Sequence, residues 1–308
     1  MFVQTVFSLA TCKSVQKTLM TTFDGKSYDM MGKCGYVLSK HCHVPSGEKS
    51  KYEIRLINEK CTSTNPHATC DRRLEVAIAG EHLITLHPLA DNKYPIVTVT
   101  GGGKEVTVEK YLPDSGLSVI YVAGGHVLLK SSKAGITVLW DGIDVNLRVN
   151  SNLFEQTCGL CGTFDGDTSN DFHTHDDDTE LLASSFAMQW KVTDETLSPP
   201  GCDNGEWENF EKPCDFNSVN KPYAESSCAW FKRTDSSSFA ICRNYIPSEV
   251  FYEKCVDDTC LTPQDTVSTR VEKAYLKDCG SMGVPIRWPG EKCKTYLKNH
   301  TVEHNGNG

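Results

Sequence analysis

Two kinds of chemistry meet in Cys158-Gly-Leu-Cys161-Gly-Thr163-Phe-Asp165-Gly-Asp167-Thr-Ser-Asn170-Asp171. Two cysteines stand three apart, and Thr163, Asp165, Asp167, Asn170 and Asp171 follow within nine residues. Oxygen donors crowded between glycines are how a short loop surrounds a hard cation, and Ca²⁺ takes about six to eight of them. Clustered carboxylates repel one another, which a divalent charge offsets. The competing reading is a solvated Asx-rich turn closed by its own hydrogen bonds. The cysteines are equally open, either as a thiol–disulfide exchange pair or as two anchors for the loop. Exchange needs a sulfur of depressed pKa, typically at a helix N-terminus. Here an Asp-rich loop follows instead, and its negative field raises thiol pKa values.

Two further groups hold metal-ligating side chains: His173 and His175 beside Asp176–Asp178, and His41-Cys42-His43. Alternating histidines on an acidic loop are more often solvated than liganding, and no HExxH motif supports a catalytic zinc. No Gly-x-Ser-x-Gly is present, and no Ser/His/Asp order stands out. A formal net charge of -9 lacks the basic footprint of a nucleic-acid binder. Fifteen cysteines point to an oxidising, extracellular compartment. Their odd number leaves at least one free, bridged to another chain, or outside the framework. No apolar run of about 18 residues is present to span a membrane. The start, Met1–Cys12, is short for a signal peptide and lacks a basic leading segment, so it reads as a first strand, in a fragment or a mature form. Asn299-His-Thr is the one N-glycosylation sequon.

The elements that must position these residues read as β throughout 1–150. Alternating or β-branched runs occur at Tyr52–Ile57, Leu74–Ile78, His82–Leu86, Pro95–Val99, Lys104–Val108, Leu117–Val122, Val127–Lys130, Ile136–Trp140 and Val145–Val149. Glycine, proline or charged turns separate them, and Gly101-Gly102-Gly103 precedes no helix, so it is a hairpin turn and not a phosphate loop. Many short strands at this spacing predict a mainly β, antiparallel sandwich-like domain. A short helix over Ala183–Lys191 carries Phe186 and Trp190 as core anchors, and Pro199-Pro200-Gly201 marks a break. Residues 214–293 then hold seven cysteines and helical patterning, including Pro263–Cys279 capped by Gly280, which suits a small α-helical disulfide-rich module. The expected domains are 1–200, 201–295 and a polar, fraying tail over 296–308.

Taken in order, Thr22-Phe-Asp24-Gly-Lys-Ser-Tyr28, Gly35-Tyr-Val-Leu-Ser-Lys-His-Cys42, Asp144–Val149 and Cys158–Asp171 resemble the von Willebrand factor type D domain. Residues 214–293 resemble the eight-cysteine module that usually follows it. The resemblance covers roughly residues 12–293 and implies an extracellular segment of a modular protein, such as a mucin, an adhesion glycoprotein or a gel-forming chain. It implies a Ca²⁺ site with side-chain oxygens from Asp24, Asp165, Asn170 and Asp171 and a main-chain carbonyl at Asp167. Thr163 stands where asparagine is typical. It also implies four disulfides, Cys12–Cys161, Cys42–Cys158, Cys34–Cys202 and Cys61–Cys70.

Two departures matter. Ser14–Leu19 stands where some relatives carry a self-cleaving Gly-Asp-Pro-His segment, so that chemistry is not expected. The tail module has seven cysteines where its name implies eight, the gap falling near Leu261–Ser268, which leaves one for a bridge to another chain or unpaired. The expected function is a secreted, Ca²⁺-binding, disulfide-stapled structural or adhesive segment that self-associates or binds other extracellular proteins. The alternatives are a secreted oxygenase like the luciferases that resemble this family, and thiol–disulfide exchange at Cys158 and Cys161.

Overall fold

A computed structural model describes residues 10–16, 18–44, 47–59, 71–78, 82–89, 95–101, 104–107, 111–112, 116–122, 125–176, 178–199, 202, 209, 211–233, 238–244, 246–281 and 284. The Cys61–Cys70 pair, Cys293, Asn299, the tail and the first nine residues of the expected opening strand lie outside them. The chain divides into two compact units, Met1–Phe210 and Glu211–Gly308.

The first unit is built from β1 (Ala10–Val15), β2 (Leu19–Thr21), β3 (Ser27–Asp29), β4 (Gly35–His41), β5 (Tyr52–Asn58), β6 (Arg72–Ile78), β7 (His82–Leu89), β8 (Pro95–Gly101), β9 (Lys104–Thr107), β10 (Tyr111–Leu112), β11 (Leu117–Val122), β12 (His126–Ser131), β13 (Ile136–Trp140), β14 (Val145–Val149) and β15 (Thr157–Cys158). One sheet runs β10-β11-β12-β13-β14-β1-β2-β3, and the other β15-β4-β5-β6-β7-β8-β9. Neighbours pair antiparallel, as the alternating sequence requires. Gly101 faces Lys104 across the β8–β9 pair, while Gly102 and Gly103 of the expected turn lie outside the described residues.

Period-2 alternation sets which side chains face inward. Tyr52, Ile54 and Leu56 of β5 and Leu74 and Val76 of β6 meet Val127, Leu129, Val138 and Trp140 from the opposite sheet in one core. Trp140 is fully buried, and its indole N–H donates to the carbonyl of His87 at 2.9 Å, so a β13 side chain ties into β7. Helix α1 (Ala183–Gln189) buries Phe186, and Trp190 follows it into the core, as expected.

β4 departs from alternation: six of its seven residues are buried. The free side of β4 is covered by later chain, because Val192 N donates to Gly35 O at 2.9 Å and Val37 N to Trp190 O at 2.8 Å. β15 takes the far end of the same edge, with Thr157 opposite His41. A strand buried on all sides loses its polar phase, which is why periodicity misses it.

The second unit holds α2 (Pro213–Phe216), α3 (Lys221–Cys228), α4 (Ser238–Cys242), α5 (Glu249–Leu261) and α6 (Asp265–Ser281). Cys260 and Cys255 of α5 bridge to Cys214 and Cys228, and Cys279 of α6 bridges to Cys242. Phe231, Phe251 and Tyr275 pack between the bridges. α6 begins two residues later than expected, and Gly280 lies inside its last turn, so it is not the residue that caps it. The Asp265 carbonyl accepts from Ser268 Oγ and Thr269 Oγ1 in the first turn. Among the described residues no helix is long and apolar enough to cross a membrane.

Trp140→Ala should lower the stability of the β unit by about 3–5 kcal/mol, from the cavity and the lost indole bond. Urea unfolding followed by circular dichroism measures this. A loss below about 1 kcal/mol would mean that Trp140 is not central to the core.

Candidate functional site

The Cys158–Asp171 loop starts from the outer edge of β4. Leu160 N donates to Val37 O at 3.0 Å and Cys161 N to Leu38 O at 2.9 Å. Gly159 makes this seat at φ 109°, and a Cβ there would stand 2.9 Å from Leu38 O, so a side chain would push the loop off the strand. Cys161 is bonded to Cys12 of β1 and Cys158 to Cys42, just beyond β4. Neither sulfur of the pair is bonded to the other. Each instead closes its own long bridge, across 149 and 116 residues. Cys34–Cys202 spans 168 residues and ties the start of β4 to the end of the covering segment. In the chain-entropy account, each such closure removes on the order of 4–5 kcal/mol of denatured-state freedom, less any native strain.

Beyond Cys161 the loop meets the turn between β2 and β3. Phe23 N donates to Cys161 O at 3.0 Å, and the Tyr28 hydroxyl donates to Leu160 O at 2.6 Å. Asp24 Oδ2 accepts from Asp165 N at 3.1 Å and Gly166 N at 2.9 Å. Asn170 Nδ2 donates to Asp165 Oδ2 at 2.7 Å, and Thr22 Oγ1 donates to Asp171 Oδ2 at 2.7 Å. Asp24, Asp165, Asn170 and Asp171, distant in sequence, are thus drawn into one knot. Phe164 and Phe172 fasten the two ends of the loop, the first beside Phe23 and Phe154, the second stacked on Phe186.

Two expected ligands stand apart. The Asp167 carboxylate is exposed and accepts from Ser169 N at 2.9 Å, and hydrogen bonds from the Ser169 side chain first and its backbone second hold it below the usual carboxylate range. Its side chain therefore serves the turn, which leaves its carbonyl for any ligand role. Thr163 is half-buried between Gly162 and Phe164. Two residues of the knot were not among the sequence candidates: Thr22, and Gly162, whose Cβ would collide with Asp171 Oδ1. The signal for Thr22 was its place beside Phe23-Asp24-Gly25, but a buried hydroxyl has no sequence pattern of its own.

Charge in the knot is under-compensated. Burial pushes the Asp171 carboxyl up to about 7, and the negative charges of Asp24 and Asp165 add to this while the Thr22 bond opposes it. Burial also raises Asp24. Asp171 Oδ1 and Asn170 Oδ1 are buried and accept no hydrogen bond. Buried oxygens without partners are costly, and a cation is one partner that would satisfy them. Among the described residues no three His, Cys, Asp or Glu side chains are gathered closely enough to hold a metal by themselves. The donor set here instead mixes carboxylate and amide oxygens, which suits a hard cation and not zinc.

The rings of His41 and His175 are otherwise engaged. His41 accepts from Lys51 N at Nδ1, which leaves Nε2 to donate to Gln156 Oε1 at 3.1 Å. The His175 ring stands edge-on to Trp190, 4.0 Å between centroids, and the indole N–H donates to His173 O.

The profile described as von Willebrand factor type D domain matches residues 12–178, and that described as C8 domain matches 227–294. The chain belongs to the von Willebrand factor type D family. Its type D domain carries the Asp24 turn, the Cys158–Asp171 loop and two whole described disulfides, Cys12–Cys161 and Cys42–Cys158. Among relatives, Mucin-2 of Mus musculus is 29% identical over 82% of this chain and 5% of its own length. Mucin-2 of Homo sapiens is 28% identical over 96% of this chain and 5% of its own. SCO-spondin of Gallus gallus is 26% identical over 91% and 5%. The chain therefore spans about a twentieth of the length of each of these three relatives.

In chelator, the type D domain should lose the Asp171 contribution to stability as pH rises. A carboxyl held at about 7 when folded and near 3.8 when unfolded stabilises the fold fully below 3.8. That contribution is lost as pH rises through 7. The melting-temperature difference between wild type and Asp171→Asn should therefore change across pH 4–7 in this direction, wild type falling relative to the variant. Parallel curves would contradict it.

Proposed function

We propose that this chain is a Ca²⁺-stabilised, disulfide-stapled structural segment of a secreted modular glycoprotein, and that it works by self-association or by binding other extracellular proteins. The observation that carries the calcium reading is the pair of buried, unpartnered oxygens, Asp171 Oδ1 and Asn170 Oδ1, in a loop whose carboxylates are already crowded. Asp24, Asp165, Asn170 and Asp171 would hold the ion through side chains, with the Asp167 carbonyl and Thr163 completing the set. A bound ion would supply the positive charge that the knot lacks.

The secreted, structural reading rests on the disulfides and on kinship. The described residues contain six disulfides, which persist in oxidising compartments. The relatives named mucins are the basis for assigning a modular glycoprotein. With twelve cysteines paired among the described residues, a bridge to another chain would have to use one of Cys61, Cys70 or Cys293.

Calcium should raise the melting temperature of the type D domain over that in chelator, and Asp165→Ala should abolish the difference. At ~1,000-fold excess over Kd the stabilisation is about 4 kcal/mol. Differential scanning calorimetry with and without chelator decides it. Identical wild-type melting temperatures would overturn the calcium reading.

A further inference from the structure

We propose that Thr22 is the positioning residue of the calcium site: its hydroxyl holds Asp171 by one carboxylate oxygen so that the other stays available to the ion. This rests on the calcium reading above. Thr22 is fully buried, and its side-chain oxygen makes two bonds of fixed sense. Lys26 N donates to it at 2.9 Å, and a backbone N–H can only donate, so the hydroxyl oxygen is an acceptor on that side. Its single proton is left for Asp171 Oδ2, at 2.7 Å.

The backbone around Thr22 fixes the hydroxyl in turn. Thr22 N donates to Lys26 O at 2.9 Å, and Gly25 N donates to Thr22 O at 3.2 Å, so the residue is clamped inside its own turn. The hydroxyl therefore approaches Asp171 from one direction only. With Oδ2 pinned, Oδ1 falls where a Cβ of Gly162 would otherwise be, buried and accepting nothing. Glycine at 162 keeps this place open, and Thr22 decides which oxygen fills it.

The same turn presents Asp24, two residues on, whose Oδ2 takes the backbone N–H groups of Asp165 and Gly166. One short turn thus supplies a ligand of its own and orients a second ligand 149 residues away in the chain. Partners of this kind, which touch a ligand and not the metal, typically contribute about 10–100-fold in metal affinity.

The test is a calorimetric titration of Ca²⁺ into the full chain as wild type, Thr22→Val and Thr22→Ser. Valine keeps the shape and removes the hydroxyl, whereas serine keeps the hydroxyl and removes the methyl group. Thr22→Val should bind about 10–100-fold more weakly, while its melting temperature in chelator falls by no more than about 4 °C. Thr22→Ser should bind within about threefold of wild type, since the same hydrogen bond is restored. If wild type binds no Ca²⁺, the calcium reading fails and this inference falls with it. If wild type binds and Thr22→Val binds equally well, the positioning role alone is overturned. Equal weakening in Thr22→Ser would show that keeping the hydroxyl does not preserve binding and would overturn it too. If valine prevents folding, Thr22→Ala replaces it, and failure of both to fold makes the hydroxyl a structural group, which also overturns the role.

Discussion

The first unit depends on one crossing: the Phe23-Asp24-Gly25 turn against the chain from Leu160 to Asp171. A backbone bond joins Phe23 to Cys161, the Asp24 carboxylate accepts from the N–H groups of Asp165 and Gly166, and the Cys12–Cys161 bridge closes the same junction covalently. Each sheet is anchored there. β1, β2 and β3 belong to one sheet, whereas Leu160 and Cys161 lie along β4 of the other. A sandwich can slide one layer over the other unless something spans both, and this junction spans both at one point. The acidic knot sits on that junction, so whatever relieves its charge acts on the contact between the sheets.

Burial is what makes the knot sensitive. An exposed aspartate such as Asp167 is stabilised by the side chain and backbone N–H of one neighbour, Ser169. Asp171, fully buried, has one oxygen held by Thr22 and the other unpartnered, and it faces the like charges of Asp24 and Asp165. In a low-dielectric setting such repulsion is strengthened, and the group responds by holding its proton. The second unit solves a different problem. Its core is small, and the three bridges onto α5 and α6 supplement the burial of Phe231, Phe251 and Tyr275.

Much of this was legible in the sequence because alternation reports one-sided burial. The runs from Tyr52 to Val149 appear as strands within three residues of their expected limits, and Phe186 and Trp190 are core anchors. β2 and β3 are three residues each, too short to show a period, and β4 is buried along nearly its whole length. For the site, the carboxylates announced themselves by crowding. The parts that orient them did not: Thr22 acts through a single hydrogen bond across 149 residues, and Gly162 through a missing side chain. Gly280 misled for a related reason, since a glycine near a helix end reads as a stop whether or not the chain needs one there.

The place of β1 has a consequence for synthesis. β1 lies between β2 and β14, so one of its edges waits for Val145–Val149, and Cys12 waits for Cys161. A ribosome adding about 5–20 residues per second takes roughly 7–30 s to supply that partner. During that interval β1–β2 is a hairpin with one open edge, and Cys34, Cys42, Cys61, Cys70 and Cys158 are all made before Cys161. Vectorial synthesis thus presents Cys34 and Cys42 to Cys12 before its native partner exists. A fold closed from its two ends is one whose first thiol meets wrong partners before the right one, and any bridge made early has to be undone by thiol–disulfide exchange.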